Sequence, residues 1–265
     1  MIIQICQETN RYAAEVKAKN PNALKDWKDV NSNEMWVFLA INVAMGLLRK
    51  PSVRDYWSSN EVLSSPFFPE TMSRNRFQHI LQCLHLVDNE GVPEENRDRF
   101  VKLGDFLPDL LINSRACVNP GEYLCLDESL LGFKGRISFR QYNPKKRSRF
   151  GIKFFVLVDC MTHLILDIIP YQGKTTNVSS ADIKQFGFGG AAVLALLQPY
   201  LHKNHKVVID NFFNGPILAR KLLDAKTFVL GTAQKRRKLM PPGMTSKLAK
   251  GQVETYSDGE ILVER

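Results

Sequence analysis

Two apolar stretches that lie far apart in the chain each end in an aspartate. Leu124–Leu126 precedes Asp127, and Val207–Ile209 precedes Asp210. Both stretches predict buried β-strands, and a carboxylate at the end of such a strand needs a partner because an isolated buried charge is costly. If the two strands lie side by side, their carboxylates come about one strand spacing, roughly 4.8 Å, apart. This arrangement predicts a divalent-metal site, whereas a surface turn is the alternative for either aspartate alone.

Basic residues are unevenly distributed along the chain. The 265 residues include 36 Lys or Arg and 27 Asp or Glu, which gives a net charge of +9 and suggests an acidic partner. Between Lys134 and Lys153 there are eight basic residues and no acidic one, with Phe139, Tyr142 and Phe150 between them. This mixture favours a nucleic-acid groove over a solvated charged face. The predicted DNA contacts are Lys134, Arg136, Arg140, Lys145, Lys146, Arg147, Arg149 and Lys153.

Cysteine usage and hydropathy indicate an intracellular protein. The five cysteines are scattered and form no C-x-x-C pair, so neither a zinc finger nor a disulfide framework is indicated. The first residues lack the apolar region of a signal peptide, and no apolar run approaches the ~20 residues that cross a membrane. We therefore expect a soluble chain in a reducing compartment, without a membrane partner.

Residues 1–118 predict helices. One helix starts at Ser32–Glu34, is apolar on nearly every face and so should be largely buried, and ends at Lys50–Pro51. A second starts at the N-cap Ser73, and a third covers 102–115, where Pro108 kinks the helix or delays its start. The polar stretch at 88–96 predicts an exposed loop.

Residues 119–265 change to a strand-rich pattern. The pattern predicts three strands at 123–131, 151–159 and 164–171, with 137–142 as a hairpin arm. These are followed by a helix at 190–201, a strand at 207–210, a helix at 216–223 and a strand at 227–231. This succession is that of an RNase H-like domain, in which the first and fourth strands are parallel neighbours. The predicted fold class is therefore α+β or α/β: an N-terminal helical region, then an RNase H-like mixed sheet flanked by helices.

Other polar residues have weaker claims to a site. Glu128 faces away from Asp127 because adjacent strand residues alternate, and Asp159 predicts a turn. Asn211 either orients a metal-bound water or caps the following turn. The basic run at 234–238 is either a nuclear-localisation patch or a phosphate contact. No metal site is predicted at the histidines His163, His202 and His205.

Several ordered motifs along the chain resemble the transposase domain of the piggyBac family. In the second half they are Asp127–Glu128, Leu131–Arg136, Tyr142–Lys145, Phe150–Lys153, Asp159, Thr162, Tyr171, Gly173–Lys174, Asp210–Phe213 and Gly231–Ala233. In the first half, Glu8–Asn10, Arg54–Trp57 and Ser73–Phe77 resemble the family's dimerisation and DNA-binding region. The implied domains are thus 1–118 for dimerisation and DNA binding, and 119–265 for part of a DDE catalytic domain.

The resemblance implies a DNA-cutting enzyme. Asp127 and Asp210 fall on the family's first two catalytic aspartates, which hold Mg²⁺ or Mn²⁺ for strand hydrolysis and transfer at transposon ends, with TTAA-type targets. The family's third catalytic aspartate lies further along than Arg265, so by this resemblance we expect impaired catalysis from the chain as given. The implied partners are DNA and a second copy of the chain, in the nucleus, without a small-molecule substrate.

Two other interpretations stay open at this point. A domesticated protein that binds specific DNA without cutting it would keep the basic segment and not need the metal. A gene fragment would lack a stable fold, because missing strands would leave sheet edges unpaired.

Overall fold

The computed structural model describes residues 1–89, 91, 99–144, 146 and 148–265. It has two compact units, residues 1–109 and 110–265. Most of the loop predicted at 88–96 lies outside the described residues, and so do Lys145 and Arg147 of the basic segment. None of the described helices combines the length and the apolar character that a bilayer-spanning segment requires.

The first unit is helical, as predicted. Its α-helices are α1 (Ile2–Lys19), α2 (Ser32–Leu47), α3 (Phe67–Thr71), α4 (Arg74–Cys83) and the beginning of α5 (Phe106–Ala116), with 3₁₀ turns at Val53–Trp57 and Val101–Leu103. Asn31 caps α2 by accepting a hydrogen bond from the amide of Glu34, at 3.0 Å. Ser73 caps α4 in the same way through the amide of Arg76, at 3.3 Å. Pro108 is the third residue of α5, so it delays the start of this helix rather than kinking it.

Helix α2 is less buried than its composition predicts. Only Met35, Phe38 and Ile41 are buried, and they form a narrow stripe at every third residue. Trp36 is 59% exposed, and Leu47 is 86% exposed. The prediction of a largely buried helix is therefore wrong, because only one side of α2 packs against the core of the first unit.

The second unit is built on a mixed sheet. Its strands are β1 (Tyr123–Gly132), β2 (Gln141–Tyr142), β3 (Phe150–Asp159), β4 (Ile165–Pro170), β5 (Lys206–Ile209) and β6 (Phe228–Gly231). Strand β3 pairs antiparallel with β1, β2 and β4. On the other side of β1, the strands β1, β5 and β6 lie in that order and run parallel to one another. The first strand and the strand before Asp210 are thus parallel neighbours, as the sequence predicts.

Helices cover one face of this sheet. They are α6 (Ser180–Leu197), which is broken at Gly187, and α7 (Pro216–Asp224), with 3₁₀ turns at Gly173–Thr175 and Gln198–Tyr200. The shared core contains the alternate strand residues Leu124, Leu126, Phe155, Leu157, Val207 and Ile209. Each such side chain contributes about 1.5–3 kcal/mol when fully buried. A slip of one residue in β1 would expose its two leucines and bury Asp127 instead, so the core fixes the register.

The hairpin arm predicted at 137–142 is mostly absent, because only Gln141 and Tyr142 pair with β3. The guanidinium of Arg140 donates to the carbonyl oxygens of Lys134 and Gly135, both at 3.1 Å, and this coils the segment into a loop. A separate hairpin, β7 (Thr255–Ser257) and β8 (Leu262–Glu264), ends the chain. It is tied to α7 by ion pairs from Arg220 to Asp258 and Glu260.

Candidate two-carboxylate site and basic segment

The two aspartates lie on neighbouring strands, at the point where the pairing of β1 with β5 ends. The last pair between β1 and β5 is formed by Leu126 and Ile209, and Asp127 and Asp210 directly follow these two residues. Leu126 and Ile209 are buried, whereas both aspartates are exposed. Because neighbouring strands lie about 4.8 Å apart, two carboxylates are presented at one place on the sheet.

Alternation along β1 sends Asp127 and Glu128 to opposite faces. The Oδ1 of Asp127 accepts a hydrogen bond from the amide of Glu128, at 2.7 Å. The Glu128 carboxylate instead pairs with the ammonium of Lys153, at 2.5 Å. Glu128 is therefore neutralised on the face that α6 covers, away from the two aspartates.

Asp210 begins a tight turn at the end of β5. Its carbonyl oxygen accepts hydrogen bonds from the amides of Phe213, at 3.2 Å, and Asn214, at 3.1 Å. Its Oδ1 accepts a hydrogen bond from the amide of Phe212, at 2.8 Å. The carboxylate orientation is thus tied to the conformation of residues 211–214.

Two glycines allow neighbouring backbone to approach this turn. A Cβ atom at Gly231 would lie 1.8 Å from the carbonyl oxygen of Ile209, the residue before Asp210. A Cβ atom at Gly189 on α6 would lie 2.7 Å from the carbonyl oxygen of Phe212. Neither position accepts a side chain without moving the backbone that carries Asp210. These constraints were not predicted, because a sequence does not show which backbone a glycine meets.

The donor atoms fit a hard divalent cation. Carboxylate oxygens are the ligands that Mg²⁺ and Mn²⁺ prefer. Burial raises the pKa of the Cys125 thiol, and nearby Cys160 and Asp127 raise it further. Within the described residues, no group of three or more His, Cys, Asp or Glu side chains is placed to hold a metal ion.

Asp159 has the turn role that the sequence predicts. It is fully buried and accepts hydrogen bonds from the amide of Gly121, at 2.9 Å, and from the amide and hydroxyl of Thr162, at 2.9 and 2.6 Å. The Thr162 hydroxyl is the main cause that lowers the pKa of the Asp159 carboxyl. Nearby, the buried His205 places Nδ1 2.9 Å from the carbonyl oxygen of Gly121, a contact within the fold.

The basic segment is largely exposed where it is described. Exposed cationic side chains are those of Lys134, Arg136, Arg140, Lys146 and Arg149. Arg140 is occupied by the two carbonyl oxygens of the loop and lies 5.1 Å over the ring of Phe150. Phe150 and Tyr142 are also exposed, with ring centroids 4.8 Å apart. The segment therefore combines exposed cations with a pair of accessible rings.

Lys153 differs from the other predicted DNA contacts. Its side chain is only 19% exposed and its ammonium is ion-paired with Glu128. The ammonium also lies 4.9 Å from the ring of Phe155 and 4.8 Å from that of Phe212. Lys153 thus contacts the turn after Asp210 from the covered face of the sheet.

The basic run at 234–238 contains one residue that faces inward. Lys235, Arg236 and Lys238 are exposed, whereas Arg237 is half-buried. The Nη2 of Arg237 donates to the carbonyl oxygens of Asn211, at 3.1 Å, and Phe212, at 2.6 Å. Sequence reasoning treated the run as one patch and missed this contact.

Together, a helical unit, a mixed sheet and two carboxylates on its central parallel strands define a transposase-like architecture. A family model described as "Transposase IS4" matches residues 1–265, so the chain belongs to this transposase family. The predicted piggyBac resemblance is confirmed by the relatives that it matches.

Human relatives are similar over most of this chain. "PiggyBac transposable element-derived protein 3" is 29% identical over 210 residues, which are 78% of this chain and 34% of that protein. "PiggyBac transposable element-derived protein 2" is 24% identical over 270 residues, covering 98% of this chain and 43% of that protein. The chain therefore spans less than half the length of these relatives.

A solved relative has the same fold. The cryo-EM structure of a piggyBac transposase synaptic complex with hairpin DNA superposes with a TM-score of 0.86 at 26% identity. The match covers 99% of this chain and 55% of the solved chain. The mixed α/β architecture is thus shared with that transposase.

Proposed function

We propose that this chain acts on DNA as a piggyBac-type DDE transposase or transposase-derived protein. The observation that carries the proposal is the parallel pairing of β1 with β5, whose last pair, Leu126 and Ile209, directly precedes Asp127 and Asp210. Family membership supports the same chemistry. By the family resemblance, the reaction is strand hydrolysis and transfer at transposon ends, with TTAA-type targets.

Asp127 and Asp210 would hold Mg²⁺ or Mn²⁺. A bound divalent cation activates an attacking oxygen and stabilises a leaving oxygen in an in-line displacement. The protein's part is to bind and orient: Asp210 is fixed through the amide of Phe212, and Asp127 through the register of β1. Glu128 is left out because Lys153 neutralises it on the other face.

The basic segment would bind the DNA backbone. Lys134, Arg136, Lys146 and Arg149 are exposed and suit phosphate oxygens. The rings of Tyr142 and Phe150 are accessible for stacking with bases or sugars. Lys145 and Arg147 belong to the same proposal but lie outside the described residues, and Arg140 serves by shaping the loop.

Homodimerisation and a nuclear location complete the proposal. The solved relative is a synaptic complex, which supports an assembly on DNA. The exposed Lys235, Arg236 and Lys238 suit recognition by a nuclear import receptor. Size-exclusion chromatography with light scattering and imaging of a tagged chain test these two parts.

The central test is metal-dependent nicking of duplex DNA. We expect Asp127→Ala and Asp210→Ala to abolish nicking in Mg²⁺, because each removes half of the carboxylate pair. Asp224→Ala is the matched control, since Asp224 is an exposed aspartate at the end of α7 in the same unit. Equal nicking by wild type and Asp127→Ala would exclude a catalytic role for this carboxylate.

A domesticated DNA-binding protein is the second candidate, favoured by the accessible cations and rings of the basic segment. Under this alternative, wild type binds DNA without nicking it. Asp127→Ala then leaves DNA affinity unchanged or raises it, because a negative charge is removed. DNA binding without metal-dependent nicking would support this candidate over the enzyme.

A further inference from the structure

The turn after Asp210 is held from outside by a residue of the basic run. The Nη2 of Arg237 bridges the carbonyl oxygens of Asn211 and Phe212, at 3.1 and 2.6 Å. Hydrogen bonds from a guanidinium are charge-assisted and stronger than neutral ones. A single side chain therefore contacts the peptide groups on both sides of Phe212.

Arg237 is half-buried, and part of its side chain packs against the fold. Its side-chain carbons lie 3.6–3.9 Å from the place where a Cβ of Gly215 would be. Its Nε is buried and has no hydrogen-bond partner among the described residues. A guanidinium that binds a DNA phosphate presents its donors to the solvent side, and Arg237 presents Nη2 to the turn instead.

The same turn is also held from its other side. The ring of Phe212 is stacked with that of Phe155, with centroids 6.4 Å apart and planes 4° apart. Lys153 lies over the Phe212 ring, and Gly189 lets α6 approach the Phe212 carbonyl oxygen. Phe212 is thus fixed at its ring and at its carbonyl oxygen, while its amide donates to the Asp210 carboxylate.

We propose that Arg237 is a positioning residue for the Asp210 carboxylate. It holds the Phe212 peptide groups, and the Phe212 amide in turn orients the Oδ1 of Asp210. The positive charge of Arg237 therefore serves the architecture of the site, in contrast to its exposed neighbours Lys235, Arg236 and Lys238. The inference rests on the proposed metal function only for its consequence, since the contact itself needs no metal.

Hydrogen–deuterium exchange on the metal-free chain tests the contact directly. We expect Arg237→Ala to speed the exchange of the amides of residues 211–214 about tenfold. The reason is that the turn opens more often once it has lost a charge-assisted hydrogen bond. Arg236→Ala removes the same charge from an exposed neighbour and should leave these amides unchanged. Arg237→Lys, which keeps one donor group, should restore part of the protection. Unchanged exchange in Arg237→Ala overturns the proposal.

Mn²⁺ binding, followed by electron paramagnetic resonance, tests the consequence. Arg237→Ala should weaken Mn²⁺ binding about tenfold, and it should add nothing in an Asp210→Asn background, because the effect passes through that carboxylate. Equal weakening in both backgrounds would mean that Arg237 acts only on general stability, and this overturns the positioning role. If wild type binds no Mn²⁺, the metal proposal fails, and the exchange result alone decides the role of Arg237.

Discussion

The salt dependence of DNA binding should distinguish the exposed cations of the basic segment from Lys153, which is ion-paired with Glu128. Each phosphate neutralised by a protein cation contributes about 0.9 to the negative slope of log affinity against log salt concentration. Four exposed cations of the segment form no ion pair with the described residues: Lys134, Arg136, Lys146, whose Nζ donates to the carbonyl oxygen of Glu128 at 3.5 Å, and Arg149. Replacing all four with alanine should lower the magnitude of the slope by about 3.6.

This change has a measurable size. Between 50 and 200 mM salt, a slope difference of about 3.6 corresponds to about 10²-fold in relative affinity. Fluorescence anisotropy with a labelled duplex at several salt concentrations would measure it. Arg136→Ala alone should lower the slope by about 0.9 and weaken binding similarly for different duplex sequences.

Lys153→Gln provides the contrast. Because the Lys153 ammonium is paired with Glu128 and lies against two rings, its removal should leave the slope unchanged. If the slope falls as much in Lys153→Gln as in Arg136→Ala, then the distinction between exposed and ion-paired cations is refuted. A flat salt response of the wild type would refute the DNA interface itself.

Two further predictions concern the backbone around the site. Gly231→Ala should destabilise the second unit by about 1–3 kcal/mol, because the added Cβ meets the carbonyl oxygen of Ile209. Gly46→Ala on α2 is the control: its added Cβ has open space, so it should not destabilise the protein. Urea unfolding measures the free energy of unfolding of both variants. Asp159→Asn should cost about 1–3 kcal/mol at neutral pH, because an amide cannot accept all the hydrogen bonds that the carboxylate accepts from Thr162 and its neighbours. The Asp159 pKa is lowered in the folded state, so its stabilisation is present above the unfolded pKa of about 3.9 and is lost as the pH falls through the folded value. A wild-type advantage that persists below both pKa values would contradict this assignment.

The sequence predicts the elements near Asp127 and Asp210 well because each is locally determined. Apolar strands followed by aspartate, and the turn character of Asp159, are visible in short windows, and the structure confirms the strands and that turn. The burial of α2 is not predictable in this way, since its apolar composition does not reveal how many neighbours it has. The coiling of residues 137–140 also depends on a side-chain contact, that of Arg140 with the loop carbonyl oxygens.

The role of basic residues is the least predictable part. Lys153, Arg237 and Arg136 look alike in a charge count, yet the first two contact the turn after Asp210 and only Arg136 is exposed. Whether a cation is ion-paired or hydrogen-bonded within the protein depends on acceptor groups that lie far away in the sequence. Net charge therefore indicates an acidic partner without showing which residues meet it.

The parallel pairing of β1 with β5 also governs when the site forms during folding. Leu126 and Ile209 become neighbours only after the intervening strands and α6 have crossed over, so the pairing has a large loop-closure cost and a high contact order. The hairpin of β3 and β4 needs no such closure and can form earlier. We therefore expect Asp127 and Asp210 to become neighbours later in folding than the β3–β4 hairpin forms.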